Sequence, residues 1–340
     1  MKINWHPSWK QFGINPNYRG RFAGKIDLHI HSDPAATVKD LTVGKICQFA
    51  SYYGLSAIAI TDHENIERTG SLLTTSRQFG QPVISGVEIN AQLPSGHNLD
   101  ILGYGFKVDH LSLQLFIKNI WDDEAAATKQ MIGWVNGASR PALLAKAKGV
   151  EALPDSKNII DPAEEEKIVA TVSARKTIGR KIIADLLINK GFFRQQNDGY
   201  YPNKPAFTFL GEANRLFGRQ HPAVATVIDI IHQAGGLTFM AHPFGTFNNC
   251  ALAMAKQTGQ DPQLLIPRLL GEYPFDGVEV VHSDHSDANQ TFLLKIAKQQ
   301  ALLVSGGSDT HWKLNEANHW LGITPAKALT MQEWIKDKIA

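Results

Sequence analysis

KIDLHIH, residues 25–31, is a short β-rich apolar run that closes in two histidines, and the same pattern returns along the chain. Similar runs are SAIAITDH (56–63), PVISGVE (82–88), LDILGYG (99–105), GLTFMAHP (236–243), DGVEVVHS (276–283) and ALLVSGGSD (301–309), which makes seven candidate strands. Most are too continuously apolar for half-exposed antiparallel strands and fit buried parallel ones. Helix-period segments lie between several of them, at 43–54, 223–235 and 288–300. Strand, helix, strand in repetition reads as βαβ units, hence an α/β barrel or a doubly wound sheet. The strand ends decide between the two. A barrel collects its chemistry where all the strands finish, whereas a doubly wound sheet gathers ligands at one switch point, commonly behind a Gly-rich turn. Here the first strand ends in His-Ile-His and nearly every later one ends in His, Glu or Asp, so an α/β barrel is expected.

From about Asp109 the strand rhythm stops, and segments rich in Ala, Lys and Glu take over, including WDDEAAATKQMIGWV and ARKTIGRKIIADLLINKGF. The expected organisation is an N-terminal extension over 1–24 packed on the barrel, a barrel built from 25–108 and 222–340, and a helical insertion over 109–221 that caps the substrate. The aromatics of the extension, Trp5, Trp9, Phe12, Tyr18 and Phe22, suit packing better than membrane anchoring.

With 340 residues, 43% of them hydrophobic, the chain can bury one large core or two modest ones. Its formal charge of +2 provides no field for long nucleic acid or a membrane surface, so an anionic substrate must be held locally. Cys47 and Cys250 stand far apart with no CxxC pairing, which argues against a disulfide framework and a thiolate zinc site. No apolar run has signal-peptide or membrane-span length, and the expected location is the cytoplasm.

His29 and His31 sit at alternate positions of an extended run, so both rings point to one side and can reach one metal ion. Asp62-His63, Glu88, His242-Pro243 and Ser308-Asp309-Thr310-His311 close other strands. Singly, each has an ordinary explanation as a helix cap, a loop polar group or a turn. Five separate strand ends carrying imidazole or carboxylate point instead to a multinuclear metal centre. Apart from His285, seven of the 13 histidines, His6, His97, His110, His221, His232, His282 and His319, lie outside these motifs, with His97 and His282 as borderline cases.

The order DLHxHS, TDH, GVEI, ILGYGF, AGG…AHP, GVEV…HS and GGSDTH, running from Lys25 to His311, resembles the PHP (polymerase and histidinol phosphatase) superfamily. More narrowly it resembles small bacterial PHP phosphoesterases that act on nucleotide phosphate groups, and TIGRKIIADLLINKGF resembles a helix of that subgroup's insertion. The resemblance implies a distorted (β/α)7 barrel holding two to three divalent ions, among Mn, Fe, Zn and Mg. It implies that His29, His31, Glu88 and Asp309 hold the first ion, that Glu88 bridges to a second held also by His242, and that His63 and His311 share a third. Asp62 then orients a ligand from outside the coordination sphere. Two positions depart from the family. Asp100 stands where a His ligand usually precedes ILGYG, and it can still ligate a hard ion. Ala36 stands where an Asp usually serves the third ion, for which Asp33 or Asp40 could substitute.

The implied reaction is hydrolysis of a phosphomonoester on a small nucleotide, a nucleoside monophosphate or 3′,5′-bisphosphate, by a metal-activated hydroxide. Glu88 and Asp309 supply anionic charge, and His311, or a water on the third ion, protonates the leaving group. Arg180, in TIGR, and His285, in VHSDHSD, resemble the subgroup's phosphate contacts, and a guanidinium suits bidentate phosphate recognition. Lys204, Tyr200 and Tyr201 line a base or sugar pocket or serve packing. Histidinol phosphate and a short oligonucleotide are alternatives of the same class. An amidohydrolase-like C–N hydrolase, whose metals are commonly bridged by Lys, and a non-catalytic metal or nucleotide binder are the alternatives from other classes.

Overall fold

The computed structural model describes residues 25–32, 42–137, 158–175, 177–194, 204–245 and 250–311. The expectations for the 1–24 extension, for Asp33, Ala36 and Asp40, and for Tyr200, Tyr201 and the Lys204 side chain lie outside the described residues.

Seven strands form one nearly closed sheet in chain order: β1 (Ile26–Ile30), β2 (Ala57–Ile60), β3 (Val83–Gln92), β4 (Asn98–Tyr104), β5 (Leu237–Met240), β6 (Gly277–Val281) and β7 (Leu303–Gly306). This is the barrel read from the strand ends. Its last seam runs between β7 and β1, where Thr310 bridges Ile30, and Asp309 N donates to His29 O at 2.7 Å. Gly307 allows that approach, because a Cβ there would lie 2.2 Å from His29 N.

One expectation needs correcting. Most strands were read as parallel without an exception being placed, and β4 is the exception, antiparallel to both β3 and β5. The cause is local: only residues 93–97 separate β3 from β4, with Gly96 at φ 82 and Leu93 N bonded to His97 O. A connection this short makes a hairpin, since a parallel return needs a crossover of a dozen residues or more.

Helices cover the outside of the sheet. In α1 (Val43–Tyr53), Ile46, Cys47, Phe49, Ala50 and Tyr53 are buried, and they share a core with Ile58 and Ile60 of β2. Thr42 caps this helix by accepting from Lys45 N, and Gly54 ends it in the left-handed region at φ 80. Both signals are legible in TVGKICQFASYYG.

The chain divides into two compact units, Met1–Ile117 with His221–Ala340, and Lys118–Gln220. The second therefore begins inside the long helix Leu111–Asn136, beside the boundary expected at 109. It has a core of its own, in which Met131, Val135, Ile168, Ile183, Leu187 and Leu210 are buried. Asp161 opens one of its helices with a capping box closed by Glu164, and Lys190 pairs with Glu164 at 2.7 Å. Among the described residues, no helix is long and apolar enough to cross a membrane.

Candidate metal centre

The strand-end residues meet at one end of the barrel. Alternation along β1 turns Asp27, His29 and His31 to one side, while Leu28 and Ile30 face the opposite side and are fully buried. Glu88 lies on β3, Asp100 on β4, and His242, Asp309 and His311 just past β5 and β7. His242 and Asp309 have φ of 25° and 50°, left-handed conformations that cost non-glycine residues free energy. Each is held by its surroundings: His242 N donates to Glu279 Oε2 at 2.8 Å, and Asp309 N is bonded across the β7–β1 seam.

Four buried atoms test whether a metal fits. His29 Nε2, His31 Nε2, Glu88 Oε2 and Asp309 Oδ1 make no hydrogen bond, although each is enclosed. Yet they approach closely: the imidazole nitrogens lie 3.4 and 3.2 Å from Glu88 Oε2, and 3.3 and 3.1 Å from Asp309 Oδ1. Donors placed about 2.1 Å from one divalent ion stand roughly 3.4 Å from one another, so these atoms have the spacing of a shared ligand sphere. Buried polar groups left without a hydrogen bond are otherwise costly, by about 1–3 kcal/mol each. Three further donor groups adjoin this one: Glu88 with Asp100 and His242, His31 with His63 and His311, and His29 with Glu279 and His282. Glu88 touches the first two of these, since His242 Nε2 sits 3.0 Å from its Oε1 and His63 Nδ1 sits 3.1 Å from its Oε2. His31, stacked 4.0 Å from His311 and 4.5 Å from His63, ties those two rings to the central group. Residues of this chemistry and spacing fit divalent metal ions.

The electrostatics describe the same cluster holding protons. Burial opposes charge on His31 and His242, but Asp309 and Glu88 around the first, and Glu88 and Asp100 around the second, raise each ring to about 9. Burial likewise opposes ionisation of Glu88 and Asp309, and the surrounding histidines, His29 foremost, hold both well below the usual carboxylate range. Asp100 is raised to about 6 by burial and by the charge of Glu88. A metal ion must therefore displace protons from His31 and His242 at neutral pH. Metal affinity is expected to rise between pH 6.5 and 9, with protons released on binding. The metal-free fold has the opposite trend. Its two imidazoliums titrate above the unfolded value of 6.5, so their stabilisation is complete below that pH and is lost as pH rises through about 9. Calorimetry in buffers of different ionisation enthalpy, and melting of the metal-free protein across this range, check both signs. Metal binding without proton release contradicts the first.

Of the other groups around the centre, Glu279 and Asp27 were not legible as site residues, His282 was borderline, and Asp62 was expected. Glu279, fully buried on β6, places Oε1 3.0 Å from His29 Nδ1 while its Oε2 accepts from His242 N. Such a carboxylate fixes the tautomer and direction of an imidazole whose other nitrogen faces a metal. The available signal was a lone carboxylate inside the apolar run GVEVV. His282, a borderline histidine in the sequence, lies 3.3 Å from Asp309 Oδ2. Asp27 Oδ1 accepts from His29 N and from Ser308 N, tying β1 to the Asp309 loop. Asp62 accepts from Ser32 N and Oγ at 2.6 Å each, and Arg68 donates to the same hydroxyl, so Asp62 acts on the chain just after His31.

Two expected substrate contacts are engaged elsewhere in this structure. His285 Nδ1 donates to Val280 O at 2.8 Å, and its Nε2 accepts from Phe244 N at 3.2 Å, so both ring nitrogens are occupied. Burial first, and then its surroundings, lower its pKa to about 4, which keeps the ring neutral. Arg180, in the helical unit, stacks its guanidinium 3.7 Å over the Phe207 ring and donates from Nε and Nη2 to Phe207 O. His63 and His311 are the open donors, with 48% and 39% of their side chains exposed. His311 is pushed down to about 3 by desolvation and by the positive charge of His31, and for so open a ring the charge is the stronger reason.

A seven-stranded barrel with four adjoining donor groups of His and carboxylate at its strand ends has the make-up of a metal-dependent hydrolase. Residues 27–177 match the PHP domain, and the proteins to which the chain is similar include metal-dependent phosphoesterases. It is 24% identical over 289 residues to a 5′-3′ exoribonuclease of Haemophilus influenzae, covering 85% of this chain and 90% of that one. It is 25% identical over 303 residues to a 3′,5′-nucleoside bisphosphate phosphatase of Chromobacterium violaceum, covering 84% and 87%. Among solved structures, a candidate metal-dependent phosphoesterase of Bifidobacterium adolescentis aligns with a TM-score of 0.65 at 22% identity, covering 92% of this chain and 96% of that one.

Proposed function

We propose that the protein hydrolyses a phosphomonoester on a small nucleotide, a nucleoside monophosphate or 3′,5′-bisphosphate, using two to three divalent ions. The observation that carries this reading is the convergence of four buried, hydrogen-bond-free donor atoms, flanked on either side by a further donor group. The nucleotide assignment draws on the bisphosphate phosphatase of Chromobacterium violaceum. Divalent ions held there would supply a hydroxide nucleophile at neutral pH and neutralise phosphoryl charge. Glu88 is placed between the donor groups, so its carboxylate holds two positions together. Glu279 keeps His29 Nδ1 as the protonated nitrogen, leaving Nε2 to donate its lone pair. Asp309, anchored on both β1 and His282, holds its Oδ1 toward the first donor group. His311 is positioned to serve as a nitrogen donor or, with a water beside it, to protonate the leaving group.

Release of phosphate from a panel of nucleoside monophosphates, bisphosphates, histidinol phosphate and short oligonucleotides by metal-loaded protein tests the reading. Turnover of mononucleotide esters with inorganic phosphate as product supports it, and absence of phosphate release from every ester defeats it. Liberation of mononucleotides from an oligonucleotide would favour the second reading, which the Haemophilus influenzae exoribonuclease motivates.

Arg180 is proposed as a phosphate contact. Arg180→Ala is then expected to lower kcat/KM on a phosphomonoester roughly 100-fold, since charge-assisted contacts are worth a few kcal/mol and each ~1.4 kcal/mol is tenfold in rate. Metal content should be unchanged, and Lys should restore only part of the rate. Wild-type kinetics in Arg180→Ala would remove this residue from the site.

A further inference from the structure

Three of the four donor groups differ in their chemistry. His31, His63 and His311 offer three imidazole nitrogens, and His29, His31, Glu88 and Asp309 offer two nitrogens with two carboxylates. Glu88, Asp100 and His242 reverse the balance, with two carboxylates and a single imidazole. Imidazole suits zinc and iron, whereas carboxylate oxygen suits manganese and magnesium.

Asp100 gives this third group its character, and a neighbouring side chain fixes how. Asp100 lies opposite Asn90 in the antiparallel register of β3 and β4, and Asn90 Nδ2 donates to Asp100 Oδ1 at 2.6 Å. Only the nitrogen end of an amide can donate to a carboxylate, so this contact sets the direction of the amide. With Oδ1 so engaged, Oδ2 faces His242 Nε2 at 3.5 Å. Asp100 is 2% exposed and Glu88 1%, so water does not dilute the negative charge they bring together.

Resting on the reading that the cluster holds divalent ions, we propose that Asp100, oriented by Asn90, shifts the Glu88–Asp100–His242 position away from Zn2+ and toward a hard ion, Mn2+ or Mg2+, relative to the imidazole-rich positions. The protein then carries different metals at different positions. Asp100 is the specificity-determining residue, and Asn90 is a positioning residue that acts through it.

The test reads metal binding rather than turnover. Metal-free protein is titrated with Mn2+, followed by the electron paramagnetic resonance of the free ion, then challenged with Zn2+ and assayed for both elements. Wild type should retain Mn2+ at one position under Zn2+ that displaces it elsewhere. Asp100→His should shift the Mn2+/Zn2+ preference of that position toward Zn2+ by roughly tenfold or more, and Asn90→Leu should weaken Mn2+ there by roughly 10–100-fold, the usual effect of losing a partner that orients a ligand. Asp100→Asn, which keeps the side chain's size, serves if the larger imidazole disturbs the barrel, and it should also lose the Mn2+ position. An unchanged Mn2+/Zn2+ preference in folded Asp100→His and Asp100→Asn overturns the proposal while leaving the metal centre standing. Wild-type protein that binds neither ion overturns the metal centre itself, and this proposal with it.

Discussion

Phosphoesterase activity is expected to fall to background when the protein is dialysed against a chelator and to return when a divalent transition ion is added. One reason is that neither cysteine offers an alternative nucleophile. Both cysteines are buried, and burial pushes the Cys47 thiol up to about 12 and raises that of Cys250 as well, so neither presents a thiolate at neutral pH. What converges instead is four donor atoms with no hydrogen bond to make. Metal should also stabilise the fold, by about 4 kcal/mol when free ion exceeds its Kd a thousandfold. Activity assays with elemental analysis, and melting with and without metal, measure both effects. Full activity in excess chelator, with no metal retained, would end the metal mechanism.

Glu88→Gln is expected to lower turnover by roughly a thousandfold or more, equivalent to about 4 kcal/mol of lost transition-state stabilisation. Glu88 is 1% exposed, and its two oxygens lie within 3.0–3.4 Å of nitrogens from His242, His63, His31 and His29. An amide keeps the shape but removes the charge, and its nitrogen end turns a donor toward groups that require an acceptor. Metal content should fall together with activity. The fold should survive, because the adjacent Val87 and Ile89 remain buried in the core whatever stands at 88. The metal-free variant should also lose much of its pH-dependent stabilisation, since Glu88 is a principal cause of the raised values at His31 and His242. Circular dichroism, metal analysis and steady-state kinetics together decide the matter. A folded Glu88→Gln with wild-type kcat/KM would show that this carboxylate is not part of the reaction.

The chain by itself determined the barrel and which residue types close its strands. Both are local properties: apolar runs of strand length are bounded by turn residues, and a His or carboxylate at a run's end marks itself as out of place in a core. Alternation likewise put His29 and His31 on one side before any packing was known. Tertiary structure decided which strand ends meet and what each side chain does there. The reversal of β4 follows from its short 93–97 link to β3, but only the closed sheet sets β5, more than 130 residues away, antiparallel along its other edge. Glu279 reads as an ordinary strand residue until β6 and β1 bring it to 3.0 Å from His29, across 250 positions of sequence. His285 and Arg180 have partners that their motifs did not indicate: in this structure their nitrogens bond Val280, Phe244 and Phe207. A sequence records which groups are available, but a hydrogen bond or a shared ligand sphere requires angles and distances of a few ångströms, and only the closed barrel sets those.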